Sequence, residues 1–344
     1  MNPIQIIGGG LAGLSLGIAL RQKGVPVGVS EAGHYPRHRV CGEFISGQGR
    51  AILRDLGVEE KLLARGAREA RTAAFYSRGA KKAAPRLLPE PALCVSRYVL
   101  DQFLADEFRA LGGQLNQSER WRGGYGLGVV RATGHASETA PGHWRWFGLK
   151  AHIRHACLEA DLEMHLVDNG YVGLCRLDND TVNVCGLFRS HAAVPDLAAN
   201  WRFWLEGSEG SILRKRLQGA EFVTDTFCST AGLSLDPQRA AGRPECRIGD
   251  AITMIAPLTG NGMSMAFESA VLASDHLFDY SRGHIAWSAA KTRIAQSCDA
   301  AFRQRLFWGR QLQRAAFHTA LKDGAVWLGM HSPLLWRQLF DRTR

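Results

Sequence analysis

The chain has 344 residues, of which 46% are hydrophobic and 22% charged. That balance excludes a disordered chain and leaves room for a large core and two intimately joined domains. The formal net charge is +10, gathered after Ser281 in Arg282, Lys291, Arg293, Arg303, Arg305, Arg310, Arg314, Lys322, Arg337, Arg342 and Arg344, against Asp299, Asp323 and Asp341. No nucleic-acid motif accompanies these charges, so nucleic acid is not an expected partner.

In chain order, Ile4-Gln5-Ile6-Ile7 reads as a short buried strand, and Gly8-Gly9-Gly10-Leu11-Ala12-Gly13 as a glycine turn opening a helix. A second apolar strand follows and ends at Glu31-Ala32. The spacing Gly8-x-Gly10-x-x-Gly13 lets the backbone turn sharply, approach a pyrophosphate and pack the helix on the sheet. The helix N-terminus then faces the phosphates, with Leu11 and Ala12 at its start, and Glu31 is placed to accept from an adenosine ribose. The same stretch is not a signal peptide or membrane span: it has no basic lead, and five glycines weaken it as a lipid-embedded helix. Eight scattered cysteines form no C-x-x-C pair or metal-ligand spacing. They read as reduced thiols of a cytoplasmic protein without a metal site.

Leu100 to Leu111 is an amphipathic helix ended by Gly112-Gly113, and Gly126 to Ala132 a short buried strand. Gly123-Gly124-Tyr125-Gly126 lacks a strand-turn-helix context and reads as a loop. Met164–Val167, Tyr171–Leu177 and Thr181–Phe188 are strands of an antiparallel sheet, the first two joined by the hairpin signal Asn169-Gly170. Leu197–Leu205 and Ser211–Leu217 are short helices, Asn261–Leu277 is a longer one, and Gly283–Phe340 is mainly helical.

Three segments carry a family resemblance. Gly249-Asp250 followed by Pro257-Leu258-Thr259-Gly260-Asn261-Gly262-Met263 resembles the second flavin motif of the FAD-dependent aromatic hydroxylase superfamily. There the acid binds the ribityl chain and the helix start faces the pyrimidine edge of the flavin. Ser96-Arg97-Tyr98-Val99-Leu100 with Leu104 resembles the helix whose arginine lies beside the cofactor. Arg37-His38-Arg39-Val40-Cys41-Gly42-Glu43 is similar to the Cys-Gly loop of geranylgeranyl-reductase-like flavoproteins and the corresponding loop of flavin-dependent halogenases, which borders the flavin ring. Thr133 and Gly134 stand where the hydroxylases carry an Asp-Gly pair, a departure that puts direct NAD(P)H use in question.

The resemblance implies FAD as cofactor, contacted by Gly8, Gly10, Leu11, Ala12, Gly13, Glu31, Ala32, Arg39, Cys41, Gly42, Arg97, Thr133, Gly134, Gly249, Asp250, Pro257, Gly260, Asn261, Gly262 and Met263. The implied fold is α/β: a Rossmann-like FAD-binding domain from 1–70, 95–142 and 240–280, an inserted antiparallel β-sheet substrate domain from 71–94 and 143–239, and C-terminal helices over 281–344.

Candidate catalytic residues are Cys41, Glu43, Lys150 and His152. Cys41 is either a thiol activated by its basic neighbours or a small buried residue. Glu43 is either an acid/base or the partner of Arg39. Lys150 and His152 share one strand face, which lines the cavity or faces water.

The implied activity is that of an FAD-dependent oxidoreductase on a largely apolar small molecule, foremost a monooxygenase, with NAD(P)H or an external reductase as electron source. Three other readings stand beside it. One is a double-bond reductase like the geranylgeranyl reductases. Another is a halogenase, for which Lys81 or Lys82 would supply the lysine. The third is a non-catalytic nucleotide-binding partner. The aromatic, arginine-rich C-terminal helices pack on the body, cover a substrate tunnel, or meet a membrane surface or partner protein.

Overall fold

The computed structural model describes residues 1–78, 83–135, 144–192, 194, 196–318 and 320–344. Its elements run β1 (Ile4–Ile7), α1 (Leu11–Gln22), β2 (Val27–Ser30), β3 (Phe44–Ile45), α2 (Gln48–Asp55), α3 (Glu59–Ala64), β4 (Arg68–Tyr76), β5 (Arg86–Cys94), α4 (Arg97–Ala110), β6 (Gln114–Asn116) and β7 (Val129–Arg131). There follow β8 (Arg145–Arg154), β9 (Leu162–Val167), β10 (Gly170–Arg176), β11 (Thr181–Ser190), α5 (Leu197–Glu206), α6 (Ile212–Arg216), β12 (Glu221–Leu233) and β13 (Cys246–Arg247). The chain continues with α7 (Gly262–Ser281), α8 (Trp287–Phe317), α9 (Lys322–His331) and α10 (Pro333–Arg342).

Two sheets result. The first is parallel, in the order β13-β7-β1-β2-β6. Its strands are two to four residues long and largely buried, and α1, α4 and α7 pack on it through Leu14, Ile18, Phe103, Phe108, Phe267 and Leu277. This is the doubly wound arrangement that the first glycine turn demands. The second sheet has the order β12-β8-β11-β10-β9-β4-β5-β3 and is antiparallel except where β4 runs parallel to β9. The α/β class, with a large curled second sheet and C-terminal helices, is as the sequence predicts.

The hairpin between β9 and β10 forms with Asn169 at φ +55°, the left-handed conformation that asparagine tolerates. Helix α4 starts three residues earlier than expected, because the Ser96 hydroxyl caps it by accepting from Val99 N. The long strand β12 was not anticipated. It lies at the sheet edge with most of its residues half-buried or exposed, so its sequence carries no apolar signature.

Candidate active site

One cavity of about 1060 Å³ runs from the C-terminal ends of the parallel strands to the face of the second sheet. That exceeds the roughly 300–1,000 Å³ of single-ligand pockets. Its two halves differ in chemistry. Backbone turns and charged side chains line the first. Phe75, Met164, Leu166 and Leu187 from the second sheet, with Met330 and Trp336 from α9 and α10, line the other.

In the first half the chain builds a cradle for an extended anionic dinucleotide. Gly8 adopts φ +109°, and a Cβ there would overlap the Ala132 carbonyl, so the turn closes on β7 only with glycine. Gly10 is different: a Cβ there meets no protein atom within 4 Å, and it would project into the cavity. The same open space stands over Gly42, Gly134 and Gly262 along the cavity wall. No side chain caps the start of α1 or of α7, so both helix starts present free N–H groups.

Glu31 is buried and accepts from Gly9 N and Gly33 N, both at 2.8 Å, and from Arg37 Nη2 at 2.5 Å. Burial alone would raise its pKa; those bonds and the Arg37 and Arg39 charges outweigh it and hold it below the ordinary value. From Glu31 the charges alternate along the wall. Arg39 lies 3.7 Å from Glu31 and 3.3 Å from Asp101, and Asp101 takes a bidentate bond from Arg97 at 2.7 and 2.8 Å. Three guanidiniums face two carboxylates, an excess of positive charge suited to a pyrophosphate.

Across the cavity, Asp250 lines the wall and is open to the interior space. The protein packed around that space pushes its pKa up to about 6, against the pull of Arg97 and His135. A neutral or hydroxyl-bonded carboxyl at that point fits a polyol chain.

A second set of groups is packed behind the Cys41-Gly42-Glu43 loop. Glu43 is fully buried at φ +57°, a conformation costing about 1–3 kcal/mol in a non-glycine residue. Several partners hold it there. Its carboxylate accepts from Arg97 N at 2.8 Å, lies 2.8 Å from His152 Nε2 and 3.4 Å from Lys150 Nζ, and its carbonyl accepts from Val95 N. Burial would raise the Glu43 pKa, but His152 and Lys150 bring it below the ordinary value, so the group is an anion. Lys150 Nζ is also 3.0 Å from His38 Nδ1. Burial and the Lys150 charge push His38 down to about 4, so its ring is neutral near pH 7 and Nδ1 accepts from the ammonium.

The folded pKa of His38 is thus below its unfolded value of about 6.5. Stability from this source is complete above pH 6.5 and is lost as pH falls toward 4. His38→Gln is expected to flatten that part of the profile. Urea midpoints measured between pH 7 and 4 check it; an unchanged slope would contradict the assignment.

The structure redistributes several residues of the expected site. Glu43 does not pair with Arg39, which turns to Asp101 and Glu31, because β8 delivers Lys150 and His152 to Glu43 first. Lys150 and His152 neither line the cavity nor face water: both are buried behind Glu43. The Cys41 thiol lines the cavity, but burial pushes its pKa up despite Arg97 nearby, the opposite of an activated thiolate.

Asn261 is buried away from the cavity and donates to the Thr343 carbonyl at 2.6 Å. Gly13 and Gly249 serve packing: a Cβ on Gly13 would overlap the Gly8 carbonyl, and one on Gly249 would come within 2.8 Å of Ala12 Cβ. Gly8, Gly10, Leu11, Ala12, Glu31, Ala32, Arg39, Cys41, Gly42, Arg97, Thr133, Gly134, Asp250, Pro257, Gly260, Gly262 and Met263 all reach the cavity wall. Lys81 and Lys82 lie outside the described residues. Asp101 and Arg344 were missed. Asp101 had a signal, standing four residues after Arg97 on one helix; Arg344 had none beyond its charge. Among the described residues, no group of three or more His, Cys, Asp or Glu side chains forms a metal site. Among them, too, no helix is long and apolar enough to cross a membrane.

Residues 1–126 match the family described as FAD binding domain. No curated protein sequence matches the chain. Among solved structures, the flavin-dependent brominase Bmp2 is similar over 99% of this chain and 93% of its own, at 19% identity and a TM-score of 0.73. Halogenase PltM is similar over 98% of this chain and 83% of its own, at 15% identity and TM-score 0.76. PqsL of Pseudomonas aeruginosa, described as a probable FAD-dependent monooxygenase, is similar over 96% of this chain and 99% of its own, at 19% identity and TM-score 0.69. The overall fold is shared with these flavin-dependent proteins, and the dinucleotide that the cradle fits, as the match of residues 1–126 indicates, is FAD.

Proposed function

We propose that this FAD-binding chain is a monooxygenase that hydroxylates a largely apolar small molecule, taking electrons from NAD(P)H or a separate reductase. The observation that carries this reading is the continuity of the cavity: the flavin cradle opens without a partition into a chamber walled by apolar side chains. The likeness to PqsL over 96% of this chain agrees with that reading at the level of the fold, as the likeness to the halogenases agrees with the alternative.

The first glycine turn and the starts of α1 and α7 would hold FAD, with Glu31 and Asp250 on its sugar and polyol portions. Reduced FAD supplies the electron pair that activates O₂. The chain's own contribution is threefold. Glu43, as an anion clamped by Arg97 N, His152 and Lys150, fixes the Cys41-Gly42 backbone along the cavity. His38 Nδ1, 3.0 Å from Lys150 Nζ, fixes the position of the lysine in that network. The apolar chamber excludes water, which oxygen chemistry requires.

The test uses FAD-loaded enzyme, chemically reduced and mixed with ¹⁸O₂ and a panel of small aromatic compounds. One ¹⁸O atom in the organic product is the expected result. Brominated product formed when bromide is added would reassign the chain to halogenation, and saturation of an alkene without oxygen would reassign it to double-bond reduction. Colourless protein that takes up no FAD would return it to a binding role.

A further inference from the structure

Six arginines line the cavity: Arg37 faces Glu31, Arg39 faces Glu31 and Asp101, Arg97 faces Asp101, and Arg131 faces Glu245. Among the described residues Arg120, which is exposed, and Arg344, which is half-buried, face no carboxylate. Arg344 follows α10 and lines the cavity beside the Gly260 loop. Its stem packs on Gly47, and Nη2 lies beside Gly260.

Nε donates to Ser46 Oγ at 2.8 Å and Nη1 to Thr343 Oγ1 at 2.9 Å, while the guanidinium sits 4.0 Å from the centre of the Phe340 ring. Nη2 makes no hydrogen bond among the described residues. The segment is fixed there from behind, because Asn261 donates to the Thr343 carbonyl. Burial has pushed Arg344 down to about 9, so it is still a cation near pH 7.

A half-buried cation without a counter-charge is partly desolvated, and an anion arriving beside it would compensate that cost. Guanidinium forks match carboxylates with two parallel bonds, and one without a carboxylate partner is complementary to an anion. The corner opens directly on the apolar chamber, so the anion would be one end of a molecule whose body is apolar.

We propose that the Gly47–Gly260 corner is an anion-binding subsite in which Arg344 seats the carboxylate of an apolar organic acid, whose body fills the chamber beneath α9 and α10. This rests on the monooxygenase reading for what happens to the acid, but not for its binding.

The probes are biphenyl-4-carboxylate, the uncharged biphenyl-4-carboxamide and sodium bromide, titrated calorimetrically into the full chain. The wild type should bind the acid more tightly than the amide. Arg344→Gln should weaken the acid by about tenfold or more and leave the amide unchanged, as expected for a lost charge-assisted pair. Arg344→Lys should fall between, since it restores charge but not the fork.

Equal affinity for acid and amide in the wild type, or an Arg344→Gln variant that binds the acid as the wild type does, overturns the proposal. Bromide that binds alone and displaces the acid makes the corner a halide site and overturns it as well. Loss of FAD from Arg344→Gln would also overturn it, by assigning the guanidinium to the cofactor. Acid binding that depends on Arg344 in a protein that incorporates no ¹⁸O leaves the subsite standing and removes only the reaction.

Discussion

Gly10→Val is expected to yield a folded but colourless protein. The Gly10 backbone is extended, at φ −82° and ψ −170°, a region valine prefers, and a Cβ there touches nothing. As an N-cap without a side-chain bond, the position loses about 1 kcal/mol at most. The added methyl groups would, however, occupy the space that the pyrophosphate needs against the start of α1.

Flavin absorbance after purification and reconstitution should therefore vanish while the thermal unfolding transition of the FAD-free protein stays within a few degrees of the wild type. Wild-type retention of FAD would remove the first glycine turn from the site. Gly8→Ala makes the contrast: its positive φ and its overlap with the Ala132 carbonyl predict loss of the fold itself.

The second large effect belongs to the Glu43–Lys150 pair. Both side chains are fully buried, and each is the other's only opposite charge within 4 Å apart from His152. Glu43→Gln leaves the Lys150 ammonium without its anion and should destabilise by about 3–5 kcal/mol. Lys150→Met removes the cation and leaves Glu43 with His152 and the Arg97 N–H, a cost expected to be smaller. The double variant Glu43→Gln/Lys150→Met should be more stable than the sum of the singles predicts, by more than about 1 kcal/mol. Urea unfolding of the four proteins measures this coupling. Additive losses would show that the two charges are held independently.

Much of the nucleotide half was legible because its chemistry is local. A strand, Gly8, Gly10 and an acid at position 31 need only neighbours in sequence to declare a turn facing a helix start, and Asp250 with Gly260 and Gly262 do the same for the second turn. The Asn169 hairpin was readable for the same reason.

The partners of Glu43 were not. They depend on β8 lying against the loop after β2, more than a hundred residues away, and on Asp101 claiming Arg39 first. Alternation along β8 placed Lys150 and His152 together but could not say what covered that face. Asn261 looked like its glycine neighbours, yet its amide is engaged by Thr343. Arg344 reaches Ser46 from nearly the other end of the chain, and no spacing rule spans that distance.

The strand order β13-β7-β1-β2-β6 also bears on biogenesis. A ribosome releases β1, α1 and β2 first, but β13 emerges more than a hundred residues after β7, on the order of ten seconds later at about 5–20 residues per second. Until then the nascent sheet has a bare margin where Cys246 and Arg247 will pair, and Asp250 and the α7 start do not yet exist. Uptake of the prosthetic group is therefore a late event of maturation, after most of the polypeptide has left the exit tunnel, and chaperone protection of that margin matters most during the wait.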